Sequence, residues 1–128
     1  MSEDTIFTKK MLGDTTVIAL KGPLDLEKGA HLREVFWECI QKEGATKLIV
    51  DLAMVPELDP STISLLVSTK NVVAKKRGRF TLSGITKQGL ALLEQTHLTH
   101  YFDISPTLDE ALSTQNAGPL NGDRSAVL

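Results

Sequence analysis

The run Leu58-Asp59-Pro60-Ser61-Thr62 places two hydroxyls in what has the form of a helix start. An aspartate before a proline can accept hydrogen bonds from the first free N–H groups. Proline fits the first helical position, where its missing N–H costs nothing. Ser61 and Thr62 then fall in the first turn, where unpaired N–H groups and the helix dipole favour a phosphate or an acidic group of a partner. An apolar strand, Leu48-Ile49-Val50, ends in Asp51 and feeds this run through a short loop. A strand leading into a helix that opens on hydroxyls suits docking or switching better than catalysis.

Other chemistry has weaker support in the chain. His31, His97 and His100 are separated by predicted helix and loop and do not offer the three or four convergent ligands that a metal needs. Ser61 has no G-x-S-x-G elbow around it, and Gly84-Ile85-Thr86-Lys87 lacks the full phosphate-loop pattern. Asp51 and Asp59 are better assigned to loop hydrogen bonding and capping than to a catalytic carboxylate pair. Phe36 and Trp37 are expected in the core or half-buried on the first helix. No cofactor, metal site or enzymatic activity is expected.

The elements that must position Ser61 follow from periodicity. Ile6–Lys10 and Thr16–Lys21 are predicted strands around a Gly13-Asp14 turn. A first helix is predicted from Glu27 to Glu43, with Leu32, Val35, Phe36, Cys39 and Ile40 on one face and Gly44 as its stop. Lys47–Leu52 is nearly all apolar, the pattern of a strand buried on both faces between parallel neighbours. A second helix over Ser61–Lys76, a strand over Arg79–Ser83 and a third helix over Thr86–Thr96 follow, the last with Leu90 and Leu93 facing inward. A short edge strand over Tyr101–Ile104 and a last helix over Thr107–Ser113 complete the fold. This alternation describes an α/β layer architecture. The polar segment 114–128 reads as a disordered tail after a single domain over residues 1–113.

Composition narrows the partner. Fourteen basic and sixteen acidic residues give a net charge of −2, which argues against nucleic acid. The one basic run, Lys75-Lys76-Arg77-Gly78-Arg79, reads as a helix end with a glycine stop. A single cysteine, Cys39, allows no intrachain disulfide and suits a reducing cytoplasm. The beginning of the chain has early acids and no long apolar run, so neither a secretory signal nor membrane insertion is expected.

On a helical wheel, Ile63, Leu66, Val67, Val73 and Ala74 share the inner side of the second helix, with Lys70 reaching outward from it. Ser61, Leu65, Ser68 and Val72 make a second stripe on the opposite side. Two readings stay open from this stripe. It is a scatter of ordinary surface apolar residues, or it is a helix-based protein contact with Ser61 at its rim.

Several segments, in order, resemble the STAS domain, a family named for sulfate transporters and anti-sigma factor antagonists. Gly22-Pro23-Leu24-Asp25 is similar to the family's G-E-L-D, and Asp59-Pro60-Ser61-Thr62-Ile63 to its D-S-S-G-L turn. Leu82-Ser83-Gly84-Ile85, the segment from Leu92 to Leu98, and Phe102–Leu112 resemble later family segments. The resemblance implies a single STAS-like domain with a mixed four- to five-stranded sheet on three to four helices. It also implies a regulatory role without catalysis, in which an anti-sigma factor that is a serine kinase, or a related ATPase-fold protein, is bound and controlled by phosphorylation.

In a gapless match, the family's phosphoacceptor falls on Pro60, which has no hydroxyl. His97 falls on a family glycine that wants a left-handed backbone. The resemblance therefore implies a switch that is absent or moved by one residue to Ser61, with Ser61 and Thr62 as the candidate acceptors. The expected partner contact is Asp25, Asp59, Pro60, Ser61, Leu65, Ser68 and Val72. The alternative reading is a phosphorylation-independent subunit of a scaffold or of an ABC-type lipid-transport complex.

Overall fold

A computed structural model describes residues 6–116. The hairpin comes first, with strand β1 (Phe7–Leu12), a two-residue turn at Gly13-Asp14, and antiparallel strand β2 (Thr15–Lys21). Gly13 takes φ +67, the left-handed conformation such a turn demands. Helix α1 (Leu26–Trp37) leads to β3 (Lys47–Met54), α2 (Pro60–Lys75) to β4 (Arg79–Ser83), and α3 (Lys87–Gln95) to β5 (Asp103–Ser105). Helix α4 (Leu108–Asn116) closes the described chain. The strands lie in the order β1-β2-β3-β4-β5, antiparallel only between β1 and β2. This five-stranded mixed sheet with four helices, a single STAS-like α/β domain, falls within the four- to five-stranded sheet on three to four helices that the resemblance implied.

Strand β3 occupies the centre and is paired in parallel on both sides, as its unbroken apolar sequence required. Leu48, Val50 and Leu52 point into the main core with Leu32, Phe36, Leu66 and Leu93 from the three crossover helices. Ile49 points the other way and packs with Val17 and Ala111, under α4. Each of the buried Val, Leu, Ile and Phe side chains among these contributes about 1.5–3 kcal/mol relative to exposure. Because β2, β3 and β4 all run the same way and their helices share one face, α1, α2 and α3 start at the same edge of the sheet. Any site built on helix starts must therefore lie along that edge.

Several elements differ from expectation. The first helix does not stay regular to Glu43: after Trp37 it widens into a π-helical turn over Glu38–Lys42, with the Glu43 N–H donating to the Glu38 carbonyl. Trp37, expected in the core or half-buried, is 52% exposed. Ala74 is exposed on α2, and Leu90 is only half-buried on α3.

At the end of α2 the left-handed position is Arg77 (φ 59), not Gly78. The Gly78 N–H donates to the Val73 carbonyl and the Arg77 N–H to that of Ala74, the paired bonds of a Schellman ending. Gly78 is needed for another reason. A Cβ there would sit 2.3 Å from the Thr46 carbonyl oxygen, where the chain crosses closely into β4. His97 does take the left-handed conformation (φ 61) that the resemblance implied for its position.

The last helix continues past Ser113, the expected end of the domain, to Asn116. Gln115, placed by sequence in the tail, is 1% exposed. Its Nε2 donates to the Leu48 carbonyl at 3.2 Å and to Thr81 Oγ1 at 3.0 Å, which pins α4 to the two central strands. The rest of the expected tail, residues 117–128, lies outside the described residues. Replacing Gln115 by alanine should cost about 1–3 kcal/mol, since it strands a buried hydroxyl and carbonyl. Urea denaturation of the full chain would read this as a lower midpoint with an unchanged slope.

Candidate functional site

The start of α2 is held from both sides before Asp59 is reached. The Gly22 N–H donates to the Met54 carbonyl, and the Val55 N–H folds back on that of Leu52. Val55 and Leu58 are buried, at 1% and 5% exposure, so the loop plugs the edge of the core. Helix α3 grips the loop as well: Gln88 Oε1 accepts from the Leu58 N–H at 3.2 Å, and Thr86 Oγ1 donates to the Pro56 carbonyl at 3.2 Å. Thr86 also caps its own helix by accepting from the Gly89 N–H. The short link from β3 to α2 is thus fixed by hydrogen bonds from two other elements.

Asp59 caps α2 as its sequence position implied. One carboxylate oxygen accepts from the Thr62 N–H at 2.8 Å and from the Ser61 hydroxyl at 3.0 Å. Burial alone would push the Asp59 carboxyl upward. The hydrogen bonds from Thr62, through backbone and side chain, and from Ser61 outweigh it and hold the group below the ordinary carboxylate value. Pro60 occupies the first helical position, exposed to solvent. Thr62 is 4% exposed. Ser61 is half-buried, with its hydroxyl on Asp59 and its side chain lining a cleft against α1.

Asp25 does the equivalent work on α1, accepting from the Lys28 N–H at 2.8 Å. It is exposed at the same edge of the sheet as Asp59. Asp51 and Asp59 form no pair: Asp51 accepts from the Ser83 hydroxyl at 2.8 Å, while Asp59 serves its own helix. Among the described residues, no group of three or more His, Cys, Asp or Glu is placed to hold a metal ion. No described helix is long and apolar enough to cross a membrane.

The stripe of Ser61, Leu65, Ser68 and Val72 is not a free outer face. Leu65 is 2% exposed and belongs to the main core, and Val72 packs against that core half-buried. Together with Thr69 and Ser68 they form one wall of a groove of about 170 Å³, whose other wall is Phe36, Trp37 and Ile40 on the α1 side. The stripe marks the seam between α1 and α2. Only Ser68 in it is exposed, with Ser61 and Val72 half open. Sequence reasoning gave no role to Arg33 or Leu26. Both line clefts on the α1 side of the seam, and Leu26 is 77% exposed beside the helix start.

This edge, with its capped helix starts and solvent-facing apolar residues, sits on a fold with known relatives. A family model of the STAS domain matches residues 7–111. The chain belongs to the STAS domain family. Among solved structures it is similar to a Thermotoga maritima protein assigned as an anti-sigma factor antagonist, with 19% identity and a TM-score of 0.81 over 86% of this chain and 94% of the other. It is similar to an anti-sigma factor antagonist from Mycobacterium paratuberculosis (21% identity, TM-score 0.76, 86% of this chain and 92% of the other). A third similar structure is the Bacillus cell-fate determinant SpoIIAA in its phosphorylated form (21% identity, TM-score 0.69, 84% of this chain and 96% of the other). At these identities the likeness is one of fold.

The lowered Asp59 value sets a pH dependence. A proton binds this carboxylate more weakly in the folded than in the unfolded chain, so stability falls as pH drops from the ordinary carboxylate value through the folded one. Asp59→Asn keeps a capping oxygen but has no charge to protonate. The stability gap between wild type and Asp59→Asn should therefore be largest near neutral pH and shrink on acidification through that window, read by urea denaturation at a series of pH values.

Proposed function

We propose that this chain is an anti-sigma factor antagonist, a regulatory module without catalysis of its own that controls sigma-factor-dependent transcription in the cytoplasm. It binds an anti-sigma factor that is also a serine kinase, or a related ATPase-fold protein. The docking surface is the edge where α1 and α2 start, with Asp25, Asp59, Pro60 and Ser61 at its centre. Ser68 and the half-open Val72 lie further along the seam, and Leu65 acts from beneath as packing.

One observation carries this reading. The acceptor position of the family motif is filled by Pro60, yet the next residue, Ser61, presents a half-buried hydroxyl already hydrogen-bonded to Asp59 at 3.0 Å. Thr62, the other candidate, is buried. Ser61 is therefore the hydroxyl that a kinase can engage with least disturbance of the helix. Transfer forms a bond between Ser61 Oγ and the γ-phosphorus of a nucleoside triphosphate and breaks that phosphorus's bond to the departing nucleoside diphosphate. The hydroxyl proton leaves to a basic group of the kinase. The product adds about −1.5 to −2 charges to the docking edge beside Asp59, enough to disrupt a packed or acidic interface.

Pro60 itself supports a second reading. A permanently docked STAS subunit, of a scaffold or of an ABC-type lipid-transport complex, has no need of an acceptor. The partner that co-purifies with the full chain from its native cells separates the two, a serine kinase in one case and a transporter ATPase or scaffold protein in the other. With a kinase partner in hand, titration calorimetry should show Ser61→Asp binding at least tenfold more weakly than wild type, and Ser61→Ala within about threefold of it. Equal affinities for both variants would remove Ser61 from the mechanism.

A further inference from the structure

Arg33 is one of the residues that bound the cleft lined by Ser61. This cleft measures about 120 Å³ and is bounded by Leu26, Gly29, Ala30 and Arg33 on α1, and by Ser61 and Leu65 on α2. Arg33 is exposed, and among the described residues its guanidinium makes no ion pair or hydrogen bond. The same arginine lines the neighbouring apolar groove beside Trp37, and a further cleft with Glu34, Trp37 and Glu38.

The wall between Asp25 and Arg33 is built to leave room. Gly29 lies inside a helix, where glycine costs up to about 1 kcal/mol relative to alanine. Nothing in the packing demands it: a Cβ at Gly29 would meet no atom within 4 Å. Gly29 and its neighbour Ala30 thus keep the space in front of Ser61 open.

We propose that Arg33 is the internal receptor for a phosphate on Ser61, so that modification draws the start of α2 to α1 and caps the seam between them. This rests on Ser61 being the acceptor, as argued above, and adds how the modification is read. In the unmodified chain the Ser61 hydroxyl donates to Asp59. A phosphorylated serine has no hydroxyl proton to donate and brings negative charge against that carboxylate, so its side chain must leave this position for another staggered rotamer. The guanidinium of Arg33, on a residue that bounds the same cleft, offers a planar pair of donors suited to phosphate oxygens. Capture there covers the cleft and places charge over the mouth of the apolar groove, changing the docking face before any partner arrives.

The test uses the full chain with phosphoserine installed at position 61 during translation, in wild-type, Arg33→Gln and Arg33→Lys backgrounds, without partner. The Arg33 side-chain Nε–H resonance should shift and its exchange with water should slow on phosphorylation. The change in Tm caused by the phosphate should be less favourable in Arg33→Gln by roughly 3 °C or more, with Arg33→Lys between. An unmoved Arg33 resonance together with the same Tm change in all three backgrounds would overturn the proposal. Because the phosphate is installed synthetically, that failure would leave Ser61's standing as acceptor untouched. Conversely, a Ser61 that cells never modify would remove the switch even where Arg33 captures the installed group.

Discussion

Burial of β3 on both faces is the constraint on which the rest of this molecule depends. A strand with Leu48, Val50 and Leu52 on one side and Ile49 on the other has no face to give to water. It must be flanked by strands and covered by helices above and below. The parallel pairing with β2 and β4 then forces crossover helices, and their common direction brings the starts of α1, α2 and α3 to one edge. The edge that carries the proposed docking surface is thus a consequence of core burial. The chain spends its capping residues there, with Asp25 on α1, Asp59 on α2 and Thr86 on α3.

At that edge the strength of the arrangement lies in shared partners. The Asp59 carboxylate holds the first turn of α2 through the Thr62 N–H and orients the Ser61 hydroxyl with the same oxygen. The loop that delivers Asp59 is clamped by Gln88, Thr86 and the Gly22 N–H, so the hydroxyl is presented from a pre-organised support. Such a site costs little conformational entropy when a partner binds, which favours affinity. Any group that displaces the serine from Asp59 also alters the electrostatics of the helix start.

Much of this was legible in the chain because local chemistry dictates it. The unbroken apolar run of β3, the Asp-Pro helix start, the threonine caps and the Gly13-Asp14 turn each follow from short-range rules, and the left-handed residue at His97 from the family pattern. What was not legible depends on neighbours distant in sequence. A helical wheel separates faces but cannot distinguish a face turned to solvent from one turned to another helix, so Leu65 and Val72 were taken for an outer stripe when they line the seam with α1. Gln115 sits in a polar stretch and gave no sign that its amide reaches a carbonyl and a hydroxyl of the central strands. The basic run after α2 invited a glycine stop at Gly78, yet that residue is set by the approach of the Thr46 carbonyl, and Arg77 carries the strained backbone. Trp37 was expected in the core or half-buried, because large aromatics usually pack at least one face. The seam leaves it half open at the lip of the groove.

Ser61 is the hydroxyl through which this edge is proposed to be switched. The most direct measurement is intact-mass spectrometry with site mapping on the protein taken from its native cells, under resting and stressed conditions. A single phosphate on Ser61, changing in occupancy with condition and absent from buried Thr62, is the result the account predicts. A protein that carries no phosphate under any condition would contradict it and leave the docked, unmodified subunit as the better description.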